Sequence, residues 1–451
     1  MTASAWTKSV LVATVAVMCS AQPHAQSSPA IKFTETTLAN GLHVILSEDH
    51  TAPVYSIIVH YNVGSRDERP GRTGFAHLFE HMMFKGSENV GPGEHFMLIF
   101  NNGGTMNGTT NKDRTLYFET LPANQLDLGI FLEADRMRSL EITKANLDNQ
   151  RHAVQEERRQ GLDNQAYGRS EELIDELAYD NPAYKHSVIG SMADLNAASV
   201  EDVASFFKTY YAPNNAVLVI VGDIDPKATL AKVRQAFGTI PTQPQPPRVD
   251  MTEPTQTAER RQRVDDPLAR LARVDLAFKV PPRSSDEDDV VRVLGTILST
   301  GRSSRFFQKL VREQQLAANI FAGRDASIGT GLFGITATVA PGKTPEAVEA
   351  TVLAEIERIK TGPIEAWEIE KAQNNAKRGV VTGLTSSLQR GTQLAEFASV
   401  FDDAGRINQR VDRIARVTAA DVQRVASKYL IATNRTVVVT VPKPATKGGA
   451  Q

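Results

Sequence analysis

The chain is 451 residues long, with 50 basic against 52 acidic residues and a formal net charge of −2 at pH 7. Charge so evenly balanced gives no general pull toward nucleic acid or an anionic membrane, which argues against a nucleic-acid function. The length exceeds one ordinary hydrophobic core and fits two domains of about 200 residues each.

At the amino end, Lys8 precedes an apolar run from Val10 to Met18 and then small residues to Ala21. This is the pattern of a secretory signal peptide, residues 1–25, too short to persist as a spanning helix, with cleavage expected after Ala21 or Ala25. The only cysteine, Cys19, falls in the removed segment, so the mature chain forms no disulfide. A lipid-modified Cys19 is the other option, which the bulky Met18 disfavours. The expected product is exported, free of the membrane, and periplasmic in a host with two membranes.

Runs rich in β-branched residues at 44–46 and 54–63, bounded by Pro53 and Gly64, read as strands. An apolar helix around His77 follows Pro70 and Gly71, and a short helix covers 93–101. Residues 101–108, rich in Asn and Gly, read as turns leading into a strand over 114–120 that Pro122 closes. Helical periodicity covers 124–139, 144–163 and 201–210, and Ala216–Val221 is a buried strand ending at Gly222. Residues 241–268, with six prolines and little periodicity, read as a linker. Beyond it come a strand over 271–280, helices over 286–299 and 303–316, and a strand over 332–339. Val200–Val221 parallels Ala419–Thr440 at a constant offset of 219, matching Asp202 to Asp421, Tyr210 to Tyr429 and Asn215 to Asn434. The implied fold class is α+β. Two copies of one α/β domain, 30–240 and 269–445, each carry a mostly antiparallel sheet covered by helices, with a tail at 446–451.

The chemistry concentrates in the first copy. His77 and His81 are four residues apart, so on a helix their imidazoles project from one face, a turn apart. Glu80 borders that face without having to be a ligand, which suits a base. The flanking Phe75, Leu78, Phe79, Met82 and Phe84 imply burial, and buried imidazoles and a carboxylate need partners. A divalent metal is such a partner. A lone histidine on an apolar helix is more often a hydrogen-bonded core residue, but H-x-x-E-H joins three matched groups and is the inverzincin signature. Neutral imidazoles suit zinc, and catalytic zinc takes three protein ligands with a fourth position open. The corresponding place in the second copy, Asp289–Leu298, reads as an ordinary core helix.

The remaining histidines are isolated, so the third ligand is sought among carboxylates. Leu147, Gln150, Val154 and Glu157 form one stripe of the 144–163 helix, which buries Glu157 unless it is paired. Glu156 lies about 100° away on a face that looks solvated. An arginine-paired structural Glu157 is the alternative at this point.

With H-x-x-E-H followed by a glutamate 76 residues after His81, the chain resembles the pitrilysin, insulinase and mitochondrial-processing-peptidase family of zinc metallopeptidases. Asn40–Ile45, Val63–Glu68, Gly103–Asn107, Thr115–Tyr117 and Tyr211–Val217 carry the resemblance further, over essentially all of the mature chain. It implies a clamshell-like cavity and one Zn2+ per chain, ligated by His77, His81 and Glu157, with Glu80 as general base. It also implies an edge strand around Asn107, Gly108 and Thr109, against which a peptide substrate lies extended as an added strand, although Asn107 reads equally as a turn residue. The family's supporting glutamate seven residues before the third ligand matches Gln150, which weakens or alters that role.

One departure bears on partners. In the family the second domain supplies an arginine and, seven residues on, a tyrosine, which grip the substrate carbonyl. The matching positions are Val311 and Ala318, with Arg312 one residue off. The resemblance therefore implies a processing-peptidase beta-type catalytic subunit that takes the arginine and tyrosine from a homologous partner chain. A self-sufficient homodimeric peptidase and a non-catalytic binding subunit are the alternatives.

Overall fold

Local β-propensity and the repeat at 219 both act through two sheets in the computed structural model, which describes residues 30–443. The expected signal peptide and the tail at 446–451 lie outside the described residues. In the first half, β1 (Thr34–Thr37), β2 (His43–Glu48), β3 (Val54–Tyr61), β4 (Thr105–Thr110), β5 (Thr115–Pro122) and β6 (Ala216–Gly222) lie in the order β1-β2-β6-β3-β5-β4. In the second half, β7 (Arg260–Asp266), β8 (Arg273–Val280), β9 (Ala317–Asp325), β10 (Gly331–Val339) and β11 (Arg435–Pro442) lie in the order β7-β11-β8-β10-β9. Neighbours are antiparallel except β2 with β6 and β7 with β11. With β1 set aside, the two sheets match strand for strand, the parallel pair included.

The repeat extends to caps and side chains. The helices Val200–Tyr210 and Ala419–Tyr429 start on capping boxes made by Ser199 with Asp202 and by Thr418 with Asp421. Such a box satisfies amides that a helix start leaves open. Past each helix an asparagine turns its carboxamide back to the final tyrosine carbonyl, Asn215 to Tyr210 at 2.8 Å and Asn434 to Tyr429 at 2.7 Å.

The continuous apolar run of β6 is explained by cover on both faces. Leu218 and Ile220 join the first-half core with Leu78, Phe79, Leu147 and Val154. Val217, Val219 and Val221 meet Leu394, Ala395, Phe397 and Ala398 of the helix Ser387–Phe401, contributed by the second half. Fully burying such side chains stabilises by about 1.5–3 kcal/mol each. Gly391 lets that helix approach: a Cβ there would stand 2.4 Å from Ile58 Cδ1. The halves are also joined at the β4–β5 turn, where Asp113 accepts from the Ile328 amide at 2.8 Å and Lys112 reaches Asp325 at 3.0 Å.

Five helices frame the first sheet's site: α1 (Phe75–Met82), α2 (Glu94–Asn101), α3 (Leu126–Arg138), α4 (Lys144–Arg158) and α5 (Gly168–Ala178). Several segments differ from the sequence reading. The stretch 101–108, read as turns, contributes β4, an outermost strand whose Asn, Gly and Thr residues carry little strand signal. The linker 241–268 contains β7, which is charged and mostly exposed because it too lies at a sheet edge, so the second copy begins near Arg260. Residues 303–316 are not one regular helix: a π-helical segment covers Phe307–Glu313, and Ala318 already belongs to β9. In 144–163, α4 gives way to a π-helical stretch at Arg159–Asp163. Strands β1 and β9, α5 and the helix Pro226–Phe237 had no counterpart in the sequence reading.

Candidate metal centre

The start of α1 is fixed from two sides. Gly74, at φ 86°, takes the left-handed conformation that favours glycine, and a Cβ there would stand 2.5 Å from the Ile189 carbonyl oxygen. The buried Glu68 carboxyl accepts from the Gly74 amide at 2.8 Å and the Ala76 amide at 2.7 Å, filling helix-start donors. Burial pushes that carboxyl well above the usual range, against the pull of the two amides. The apolar side of α1, Leu78, Phe79 and Met82, shares a core with Leu147 and Val154 of α4, which sets the two helices side by side.

That packing brings His77, His81 and Glu157 together, their ligand atoms within 4.8 Å of one another. Glu157 Oε2 lies 3.6 Å from His77 Nε2 and 3.4 Å from His81 Nε2. These separations exceed an ordinary hydrogen bond of about 2.7–3.2 Å. Two zinc bonds of about 2.0–2.1 Å at a tetrahedral angle place their donor atoms about 3.3–3.4 Å apart. The donor set therefore fits one shared ion. Burial, with His81 adding to it, brings His77 down to about 4, so at neutral pH it is the uncharged imidazole that metals bind. Glu157 is held below the usual carboxylate range, first by His81 and then by His77.

Glu157 is 49% exposed, in contrast to the burial expected from its stripe. Leu147, Gln150 and Val154 are buried as that stripe requires, but the helix runs out of the core before Glu157, which stands at an open face. Glu156 turns away to Arg159 and Gln160. Gln150 directs its Nε2 to Asn149 Oδ1 at 2.5 Å, and His77 Nδ1 is buried without a hydrogen-bond partner. Gln150 thus does not steady that ring.

Glu80 is buried beside the trio. Thr110 Oγ1 donates to its Oε2 at 2.5 Å, leaving Oε1 outside that bond. Burial raises the Glu80 carboxyl, and the Thr110 hydroxyl opposes the rise. Gly108, on the same face of β4 two residues earlier, has Glu80 where its side chain would be: a Cβ would stand 2.9 Å from Glu80 Cγ and 3.0 Å from Oε1. Thr109 is engaged by Arg114, whose Nη1 donates to its carbonyl at 2.9 Å and its hydroxyl at 2.6 Å. Asn107 is exposed on the outer strand, its Oδ1 accepting from the Gly108 amide at 2.9 Å. Of the three strand residues read as substrate contacts, Asn107 is open, Gly108 lies against Glu80, and Thr109 is taken by Arg114. Thr110, Glu68 and Arg114 escaped the sequence reading. A strand assignment for 105–110 would have put Gly108 and Thr110 together on the side facing α1.

Val311 is half-buried against the second core, and Ala318 is exposed at the start of β9. Arg312 donates to Gln308 at 3.3 Å. Val311 and Ala318 have no side-chain donor, and Arg312 is exposed on the π-helical segment one residue away from the matching position.

A second constellation lies behind β4. His95 on α2, Glu119 on β5 and Glu133 on α3 also bring ligand atoms within 4.8 Å, and both carboxylates are 0% exposed. His95 Nε2 is 2.5 Å from Glu119 Oε1. Arg136 grips both oxygens of Glu133, one at 2.9 Å, and stacks on Tyr117. Burial pushes Glu119 and Glu133 up to about 7 against the pull of Arg136, and brings His95 down to about 3. Arg136 already supplies a cation, so a divalent ion would leave net positive charge sealed inside. Burial raises both carboxyls, so one proton held between them would leave the pair balancing Arg136.

Comparison with known proteins bears on the whole chain. Residues 43–191 match a family model described as "Insulinase (Peptidase family M16)", and residues 197–376 match "Peptidase M16 inactive domain". The Helicobacter pylori protein named "Zinc protease PqqE" is 29% identical over 429 residues, covering 94% of this chain and 96% of its own. The Lentinula edodes protein named "Mitochondrial-processing peptidase subunit beta" is 24% identical over 415 residues, 88% of either chain. The solved structure of a protease from Helicobacter pylori superposes with a TM-score of 0.87 at 29% identity, over 91% of this chain and 100% of that one.

Proposed function

Because this chain belongs to the M16 peptidase family, we propose that it is a zinc-dependent endopeptidase acting on peptides or unfolded segments. The observation that carries the reading is the spacing of His77, His81 and Glu157, 3.6 and 3.4 Å from ring nitrogen to carboxylate, with Glu80 buried alongside. His77 Nε2, His81 Nε2 and Glu157 Oε2 would hold one Zn2+. Zinc bound there supplies a Lewis acid that polarises a carbonyl and acidifies water. Glu80 removes a proton from the attacking water through Oε1, since Thr110 holds Oε2, and returns it to the leaving amine as the C–N bond breaks. Gly108 keeps that carboxylate in place by having no side chain. The substrate lies extended along the outer edge of β4 at Asn107, a mode that uses backbone hydrogen bonds and tolerates many sequences.

The chain acts after export, on the periplasmic side of a host with two membranes, and works as the catalytic member of a pair. Support for pairing comes from Val311 and Ala318, which stand where the family resemblance calls for donors. Losing such a donor costs about 10²–10³ in rate. A homologous chain without H-x-x-E-H but with the arginine and tyrosine would restore it. The test is cleavage of a quenched-fluorescent peptide by the purified chain, alone and with such a homologue from the same host. Weak cleavage that rises about 10²-fold or more on mixing is expected. Full turnover by the lone chain, unchanged by any homologue, would contradict the pairing. Absence of zinc from a folded chain purified with zinc present would favour a non-catalytic binding subunit.

A further inference from the structure

Five arginines, Arg283, Arg292, Arg406, Arg410 and Arg413, line a narrow cleft with only Asp288 and Asp289 as acids in its wall. The cleft lies among the helix Glu287–Ser299, the helix Ser387–Phe401 that backs the first sheet, and the short helix Arg410–Ala415. Carboxylates account for part of the charge. Arg283 pairs with Glu396, Arg324 behind the cleft pairs with Asp288, and Arg413 reaches Asp289 at 2.8 Å and Asp286 at 3.0 Å. Arg406 lies 4.0 Å from Asp286 and stacks on Phe401 at 4.2 Å.

Arg292 and Arg410 form no ion pair among the described residues. Arg292 has its Nε buried without a partner, and Arg410 donates to the neutral Gln393 at 2.6 Å. Counting these arginines and the carboxylates paired directly with them, Arg283, Arg292, Arg324, Arg406, Arg410 and Arg413 stand against Asp286, Asp288, Asp289 and Glu396, six positive charges against four. Burial, reinforced by Arg292 and Arg283, brings Arg410 down to about 10, the mark of cations held together without enough counter-charge. Burial likewise brings Arg324 to about 10 even with Asp288 against it.

Guanidinium forks pair with tetrahedral oxyanions through two parallel hydrogen bonds each. The excess of two positive charges equals the charge of a doubly ionised phosphate. We infer that this cleft binds a free inorganic oxyanion of the phosphate type between Arg292 and Arg410. The bound anion neutralises the excess and ties the helix backing the first sheet to the second half's own helix. Its effect is on the stability of that junction, and it is independent of the metal centre.

The test is the unfolding midpoint of the full mature chain in chloride and in millimolar phosphate at equal ionic strength, which holds general screening constant. Phosphate should raise the wild-type midpoint by about 3 °C or more. Arg292→Gln and Arg410→Gln should each abolish that rise, while melting no lower than wild type in chloride, because each removes an unpaired charge. A wild-type midpoint indifferent to phosphate would overturn the inference, as would variants that keep the response. Variants that melt well below wild type in chloride would make these arginines structural. Phenyl phosphate serves as the comparison probe, and an equal rise with it would overturn the assignment to a free ion.

Discussion

Two sets of histidine and glutamate in the first half bring their ligand atoms within the same 4.8 Å, and their surroundings separate them. His77, His81 and Glu157 stand at an open face with their donors 3.4 and 3.6 Å apart, too far to bond one another and spaced for an ion between them. His95, Glu119 and Glu133 are sealed in, with a direct 2.5 Å contact and Arg136 already in place. Ligand residue types in proximity therefore do not define a metal site. Donor spacing and, among the described residues, the lack of a neighbouring arginine are what set the open set apart as the candidate.

Removing a donor from each set should separate the two. His77→Ala should lose both bound zinc and peptide cleavage, read by elemental analysis and a fluorogenic peptide, whereas Glu119→Gln should keep both. Zinc retained by the first variant, or lost from the second, would reverse the assignment. Within the open set, Glu157→Gln should weaken zinc binding by more than the about 10- to 100-fold typical of an outer-shell change. Glu156→Gln, on the exposed face, should bind as wild type does, and the opposite ranking in a chelator competition would place the third ligand wrongly.

Smaller effects are expected from the residues that hold Glu80. Gly108→Ala forces a Cβ to within 2.9 Å of Glu80. A displacement near 1 Å costs about 10²-fold in rate, so kcat should fall by about that factor with zinc content unchanged. Wild-type kcat in a well-folded variant would mean that Glu80 does not depend on that contact. Thr110→Val removes one hydrogen bond to a carboxylate, worth about 1.5 kcal/mol, and should lower kcat about tenfold.

The smallest expected effect belongs to the sealed set and is a matter of pH. Glu119 and Glu133 are raised by burial to about 7, so the stability they contribute is fully present below the ordinary carboxylate range and is lost as pH rises through 7. His95, lowered to about 3, acts in the opposite sense: its contribution is present above the ordinary imidazole range and is lost as pH falls toward 3. Within this set, only the two carboxyls still change above about pH 6.5. The unfolding midpoint should therefore decline from pH 6.5 to 8, and Glu119→Gln should flatten that decline. Equal slopes for variant and wild type would show that these carboxyls do not share a proton.

Much of this arrangement was legible from residue order because its signals are local. The spacing of His77 and His81, the apolar period around them, the all-apolar β6 and the repeat at 219 act over a few turns or recur intact. Strand β7 was not legible and β4 was expected only through the family resemblance, since edge strands bury little and β4 is built from residues that also make turns. Glu68 and Thr110 join the site through folding alone, as does the His95 set, whose first two members are 24 residues apart with no helical relation. The stripe put Glu157 on a helix that packs beside α1, but it could not show that the helix leaves the core before reaching it.

If the open set holds a catalytic zinc with Glu80 as its base, Glu80→Gln separates metal binding from hydrolysis. Zinc content and peptide cleavage are measured on the same preparation. A full complement of zinc is expected, because His77, His81 and Glu157 are untouched, with cleavage lowered by about 10²–10⁴-fold. Near-normal cleavage at full zinc content would contradict that role for Glu80.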